Sequence, residues 1–172
     1  MILRDPVHGL VAFEGPEERI IEDLLATPEV QRLRRIRQLG VTSMAFPGAE
    51  HSRFAHALGA AFVMKLLLQR LRALQDSLPE SQRITLDRGR EALAAAFLHD
   101  LGHGPFSHVS EISLELFADR SKVPADQVQG KIHELITAHL ILTDPAIVRE
   151  LGQAACQQVG KFTVHSFDNR GP

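Results

Sequence analysis

The sequence predicts a mostly α-helical single domain with a minor β element near its N-terminus. Three observations predict this. Apolar residues recur at helical spacing through most of the chain. The punctuation is that of helices joined by turns: Thr27–Pro28 and Asp144–Pro145 read as cap residues followed by proline at the first helical position, and Gly40 and Pro47–Gly48 read as stops. At 172 residues, 44% hydrophobic and 23% charged, the chain is long enough for one core and short for two.

In order, MILRDPVHGLVAF places short apolar pieces around Asp5–Pro6 and His8–Gly9, which predicts a small β-hairpin or an extended arm. Pro16, Glu17 and Glu18 suit a first helical turn, and Ile20, Ile21, Leu24 and Leu25 give that helix one apolar face. After Thr27–Pro28, Val30, Leu33 and Ile36 follow among Arg32, Arg34, Arg35 and Arg37, which read as a solvated basic face ending at Gly40. A long helix is predicted over 52–74, with Phe54, Leu58, Ala61 and Phe62 on its core stripe. Residues 76–90 are polar and read as a loop, 91–100 as a short apolar helix, 107–118 as helical and 120–130 as another polar loop. Helices are expected over 131–142 and 145–158, with Asp144 as an N-cap and His139 on an apolar stripe with Ile132, Ile136 and Leu140. No internal repeat or low-complexity tract is present.

The net charge of −2 supplies no global field to recruit nucleic acid or an anionic membrane. Any anionic ligand must be held by local charge. Cys156 is the single cysteine, so an internal disulfide and a Cys-rich zinc site are excluded. MILRDPVHG has no signal-peptide character, and the apolar run over 58–68, interrupted by Lys65, is too short to span a bilayer. A cytoplasmic location is the expectation.

The chemistry concentrates in FLHDLGHGPFSH, residues 97–108. Leu93, Phe97 and Leu101 recur every four residues and anchor a helix whose end presents His99 and Asp100. Gly102, Gly104 and Pro105 then turn the chain, with Phe106 expected beneath the turn. Neighbours on a helix diverge by about 100°, but at a terminus two adjacent ligands can reach one ion from one side. Imidazole nitrogen with carboxylate oxygen suits a borderline divalent cation. Upstream, HSRFAH (51–56) brings His51, Arg53 and His56 to the start of the long helix, where Arg53 has the fork geometry for phosphate oxygens.

With DPVHG (5–9), TPEVQRLRRIRQLG (27–40), FPGAEHSRFAHALG (46–59) and HE (133–134), these blocks run in order over residues 5–134 and resemble the HD-domain metal-dependent phosphohydrolases, in the deoxynucleoside triphosphate triphosphohydrolase branch. The resemblance implies an all-α HD-domain bundle over 1–172, truncated or shortened at its C-terminus. It implies metal ligation by His56, His99 and Asp100, with Mn, Fe, Co, Ni, Zn or Mg as the divalent ion. His103, His108 and His133 become acid–base and phosphate-contacting histidines, with Glu134 orienting His133. Arg53 becomes a phosphate ligand, and Gln38 and Leu39 the pair near sugar and base. His51 receives no catalytic role, and His8 and His165 are read as structural. A nucleotide substrate and a homo-oligomer are the implied partners.

Two departures stand out. The family pattern requires a final aspartate ligand downstream of the HE pair, and here only Asp168, in the polar tail, is offered as a substitute. Ala26 stands where nucleotide-activated relatives carry an aspartate. The reaction implied is metal-assisted attack of water on phosphorus, with nucleoside and inorganic triphosphate as products, and with His133 ahead of His108 as general acid. The alternatives are a catalytically weak module that binds a nucleotide or a partner and regulates, and a two-metal phosphodiesterase.

Overall fold

A computed structural model describes residues 1–117 and 131–163; Asp168, His165 and the loop expected over 120–130 lie outside the described residues. The N-terminal element is a hairpin: β1 (Ile2–Asp5) pairs antiparallel with β2 (Gly9–Ala12). The Asp5 carboxylate accepts from Val7 N and His8 N and so shapes the turn. Helices follow as α1 (Arg19–Leu25), α2 (Pro28–Arg32), α3 (Arg53–Leu74), α4 (Leu86–Leu98), α5 (His108–Phe117), α6 (Ile132–Thr143), α7 (Pro145–Leu151) and α8 (Gln153–Thr163).

One continuous core joins them. Ile20, Ile21 and Leu24 of α1 meet Leu93, Phe97 and Leu98 of α4, while Ala57, Leu58 and Ala61 of α3, Ile141 of α6, Ile147 of α7 and Val159 of α8 close around them. A fully buried side chain of this kind contributes about 1.5–3 kcal/mol, so these residues fix the axis of α4 and with it the position of its C-terminal end.

Several expectations are corrected. The helix after Thr27 does not run to Gly40: it gives way to a 3-10 turn at Leu33–Arg35 and ends where Ile36 turns extended. The Thr27 hydroxyl donates back to Leu24 O instead of capping α2. Gly40 has φ +57, and a Cβ there would stand 2.8 Å from Phe106 O, so it serves a close approach of two loops. Helix α4 begins at Leu86, capped by the Thr85 hydroxyl accepting from Arg88 N, so residues 86–90 of the stretch read as loop are helical, while the rest of it is loop with 3-10 turns at Gln75–Ser77 and Glu80–Gln82. Gly152, at φ +83, divides the expected last helix into α7 and α8. Asp144 caps α7 as expected, accepting from Ala146 N and Ile147 N.

Helix α6 is also turned differently. His139 is exposed, and the buried face is His133, Glu134, Thr137 and Ile141. The polar side faces inward because it packs on the turn after Asp100. Helix α3, with the turn after it, reaches the length and mean hydropathy of a membrane span, 25 residues at 1.2. Its Lys65 and Arg72, however, pair with Glu18 and Glu17 within the fold.

The Glu18 carboxylate ties hairpin, α1 and α3 together, accepting from Glu14 N at 2.7 Å, Gly15 N at 3.1 Å and Lys65 Nζ at 2.9 Å. Burial opposes its ionisation, but Lys65 and the two backbone N–H groups outweigh that and hold its pKa below the ordinary value. A folded pKa below the unfolded one means the unfolded chain binds more protons, so this stability is present above the usual glutamate range near ~4.3 and is lost as pH falls through the folded value. We predict that Glu18→Gln costs about 3 kcal/mol at neutral pH and flattens the acid side of the stability profile, checked by thermal midpoints between pH 7 and pH 4. An unchanged midpoint would refute the tie.

Candidate metal centre

Helix α3 starts beside the 36–38 strand-like segment. Arg53 N donates to Ile36 O and Gln38 N to His51 O, and the Ser52 hydroxyl caps the helix by accepting from Ala55 N. This fixes Arg53 and His56 in the first helical turn. Across from them α4 ends at Leu98, His99 is its C-cap, and Asp100 follows in the turn. Leu101, fully buried, nails that turn to the core.

The three expected ligands come together. His56 Nε2 and His99 Nε2 are 3.2 Å apart; Asp100 Oδ2 is 3.6 Å from the former and Asp100 Oδ1 is 3.4 Å from the latter. Ligands about 2.1 Å from a common ion stand roughly 3.0–3.4 Å from one another, so the set fits a divalent cation. His99 Nδ1 faces Ala96 O at 2.9 Å, which assigns the proton to Nδ1 and leaves a lone pair on Nε2. Burial lowers the pKa of His56, with Asp100 opposing, so its imidazole is neutral at pH 7 and one of its two tautomers presents a lone pair at Nε2.

Arg53 is 1% exposed, and its guanidinium is taken: Nη1 pairs with Asp100 Oδ2, while Nε and Nη2 donate to the Ser107 hydroxyl. The structure thus places the expected phosphate ligand behind Asp100. Burial alone would raise the Asp100 pKa; the neighbouring His99, Arg53, His103 and His56 outweigh it and hold the carboxyl below its usual range. Arg53 is the permanently charged member of that set.

A second group forms on the far side of Asp100. His103 Nδ1, His108 Nδ1 and His133 Nδ1 lie 3.0, 3.1 and 2.8 Å from one oxygen, Oε1 of Glu111. His103 and His133 stack with centroids 3.9 Å apart. The expectation that Glu134 orients His133 is corrected: the Glu134 carboxylate accepts from Lys131 N at the start of its own helix, and Glu111 is the carboxylate at His133. Sequence reasoning missed Glu111. Its one signal was a position three residues after His108, on the same face of α5. Burial first, then Arg53 and His133, depress the His103 pKa to about 3, so this ring is neutral. Its Nε2 is 3.5 Å from Asp100 Oδ1, which makes the ring a bridge between the two groups.

Gln38 and Leu39 flank the same region. The single Ser107 hydroxyl proton is shared between the Arg37 and Gln38 carbonyls, at 2.9 and 2.8 Å, Gln38 Oε1 is buried without a hydrogen-bond partner among the described residues, and Leu39 is exposed. Phe106 does not pack beneath the turn; it is exposed at φ +64, with Ser107 at φ +55. Two consecutive non-glycine residues in the left-handed region mark a turn held by its surroundings. His8 packs against Phe62 with the rings tilted by 52°, and a cavity of about 670 Å³, lined by His8, His51, His56, Gly59, Val63 and Leu67, opens beside the metal ligands.

The arginines after Thr27 are not all solvated. Arg34 lies 3.7 Å above the Phe54 ring. Arg32 donates to the carbonyls of Leu101 and His103 and clamps the turn that carries both groups. Arg32→Ala is expected to cost about 1–3 kcal/mol and to weaken metal retention on the order of tenfold, with Arg32→Lys intermediate because it reaches one carbonyl. Thermal melts and metal analysis after gel filtration check this; wild-type retention in Arg32→Ala would exclude the clamp.

The HD domain family matches residues 53–157. The chain is similar to the uncharacterized protein YwfO of Bacillus subtilis, 35% identical over 98% of this chain and 34% of that protein. It is similar to the deoxynucleoside triphosphate triphosphohydrolase SAMHD1 of Homo sapiens, 42% identical over 81% of this chain and 21% of that protein. Its fold matches the crystal structure of a phosphohydrolase from Bacteroides thetaiotaomicron with a TM-score of 0.66 and 31% identity, over 94% of this chain and 35% of that one. The chain therefore spans about a third or less of the length of these relatives.

Proposed function

The chain belongs to the HD-domain family, and from that premise we propose that it is a metal-dependent phosphohydrolase acting on a nucleotide, most simply a deoxynucleoside triphosphate cleaved to nucleoside and inorganic triphosphate. The observation that carries the reading is the convergence of His56 Nε2, His99 Nε2 and the Asp100 carboxylate at ligand spacing, with His99 Nδ1–H donating to Ala96 O. The similarity to a named triphosphohydrolase supports the nucleotide as substrate.

A divalent ion held by these three residues would supply Lewis acidity, lowering the pKa of a bound water and drawing in a phosphate oxygen. The chain's own groups do the rest. Arg53 holds Asp100 in place and lends positive charge behind it. Glu111 Oε1 sits 2.8 Å from Nδ1 of His133, as counter-charge for a protonated ring whose Nε2 would exchange a proton with the leaving oxygen; His108, exposed and hydrogen-bonded to Glu111 through Nδ1, is second in line. The orphaned Gln38 Oε1 is a ready acceptor for a sugar hydroxyl, and Leu39 an apolar surface for sugar or base.

The test is product analysis. Loaded in turn with Mn²⁺, Co²⁺ and Zn²⁺, the protein is offered a panel of nucleoside and deoxynucleoside triphosphates, and phosphate, pyrophosphate and triphosphate are separated. Triphosphate release bears the proposal out. Metal bound with no turnover of any nucleotide would overturn it.

A further inference from the structure

We propose that Ser107 is a positioning residue whose hydroxyl holds the metal centre and the Gln38–Leu39 segment in one register. A hydroxyl has one proton and two lone pairs. Here all of them are engaged. Arg53 Nε and Nη2 donate to Ser107 Oγ from 3.1 and 2.8 Å, and the hydroxyl proton is shared between the Arg37 and Gln38 carbonyls, 2.9 and 2.8 Å away. Ser107 is 3% exposed, so water does not compete for these bonds.

Each bond reaches a different part of the site. The guanidinium is planar and rigid, so a fork resting on Ser107 fixes where the remaining nitrogen points, and Nη1 points at Asp100 Oδ2. The carboxylate that would hold the ion is thereby placed by Ser107 at one remove. On the other side, the peptide after Gln38 leads into Leu39, so holding its carbonyl orients the pair proposed to meet sugar and base. Backbone bonds tie the same segment to the start of α3, Arg53 N to Ile36 O and Gln38 N to His51 O, but neither uses the Gln38 carbonyl.

The backbone of Ser107 makes the same point. Its φ is +55, in the left-handed region, beside Phe106 at +64. Glycine takes that conformation without strain. What glycine lacks is the hydroxyl. The strain sits at the residue whose side chain joins the two halves of the site. The kinetic part of this inference rests on the nucleotide reading given above; the metal and backbone parts do not.

Ser107→Gly is the decisive variant, because it relieves the backbone while removing the hydroxyl; circular dichroism verifies its fold. Ser107→Ala removes the hydroxyl and keeps the strain. Ser110→Ala is the control: the Ser110 hydroxyl donates to Ser107 O at 2.7 Å in the same turn and bonds to neither Arg53 nor Gln38. Mn²⁺ is titrated into the chelator-stripped protein without nucleotide, and amide hydrogen exchange is followed over residues 36–40. Both Ser107 variants are expected to bind Mn²⁺ about tenfold more weakly and to exchange faster over 36–40, while Ser110→Ala matches the wild type. At saturating Mn²⁺ with a deoxynucleoside triphosphate, they should also show KM raised and kcat lowered, each about tenfold. Wild-type Mn²⁺ affinity and exchange in both Ser107 variants overturns the proposal. So does recovery in Ser107→Gly alone, which would leave backbone strain as the whole effect, and so do equal losses in Ser110→Ala, which would make the turn as a whole responsible. If the wild type binds Mn²⁺ and turns over no nucleotide, the nucleotide reading fails by itself, and affinity and exchange still decide the role of Ser107.

Discussion

Asp100→Asn should leave a protein that retains no ion at the His56–His99 pair and whose turnover is lower by three orders of magnitude or more. Two effects combine. The amide offers one neutral oxygen where the carboxylate offers the ion a charged ligand beside both imidazoles, and losing several kcal/mol of transition-state stabilisation corresponds to about a thousandfold or more in rate. The second effect is on the fold. Arg53 is buried with Asp100 as its counter-charge, and breaking such a pair from one side costs about 3–5 kcal/mol. Metal content, hydrolysis rate and thermal midpoint separate the two. Arg53→Lys serves as the comparison, because it keeps the charge and loses the fork that also holds Ser107. Full activity in Asp100→Asn would remove the ligand assignment altogether.

What the sequence disclosed, and what it hid, follows from where the information lies. The hairpin turn DPVHG, the Ser52 start of α3 and the Asp144–Pro145 start of α7 are local devices, written in a few adjacent residues, and they are where they were expected. The HD pair was legible for the same reason: Phe97 and Leu101 bury one side of the helix end and leave His99 and Asp100 at its terminus. Glu111 was not legible. It reaches His103 only because the backbone turns back through Phe106 and Ser107 at positive φ, and no local rule places two non-glycine residues there. The orientation of α6 was missed through a sound rule misapplied. Ile132, Ile136 and Leu140 form the apolar stripe, yet His133 and Thr137 face inward, because a polar turn of the site is what they pack against.

That packing yields the last prediction. Where the turn after Asp100 crosses α6, Gly102 N donates to the Thr137 hydroxyl at 2.7 Å, and the same hydroxyl donates to His99 O at 3.3 Å. A Cβ on residue 102 would stand 2.2 Å from His133 O, 2.5 Å from Thr137 N and 2.8 Å from Thr137 Oγ1. Ordinary carbon–oxygen contacts need about 3.3 Å or more, so Gly102→Ala must push α6 away by about 1 Å. The obstacle is helix backbone, which has no alternative rotamer, and the cost falls at or above the upper end of the roughly 1–3 kcal/mol seen for overpacking. The displacement moves His133 away from His103 and Glu111 and strains the carbonyl of His99, so the metal ligands and the neighbouring histidines lose their register together. A misplacement of about 1 Å can cost on the order of a hundredfold in rate, and that loss is expected in addition to the drop in stability. Gly152→Ala is the control: its backbone has φ +83 but a Cβ there meets nothing within 4 Å, so it should pay about 1–2 kcal/mol of local strain with activity and metal content unchanged. If Gly102→Ala behaved like Gly152→Ala, the turn and α6 would not be in contact, and the coupling that sets His133 beside the metal centre would have to come from elsewhere.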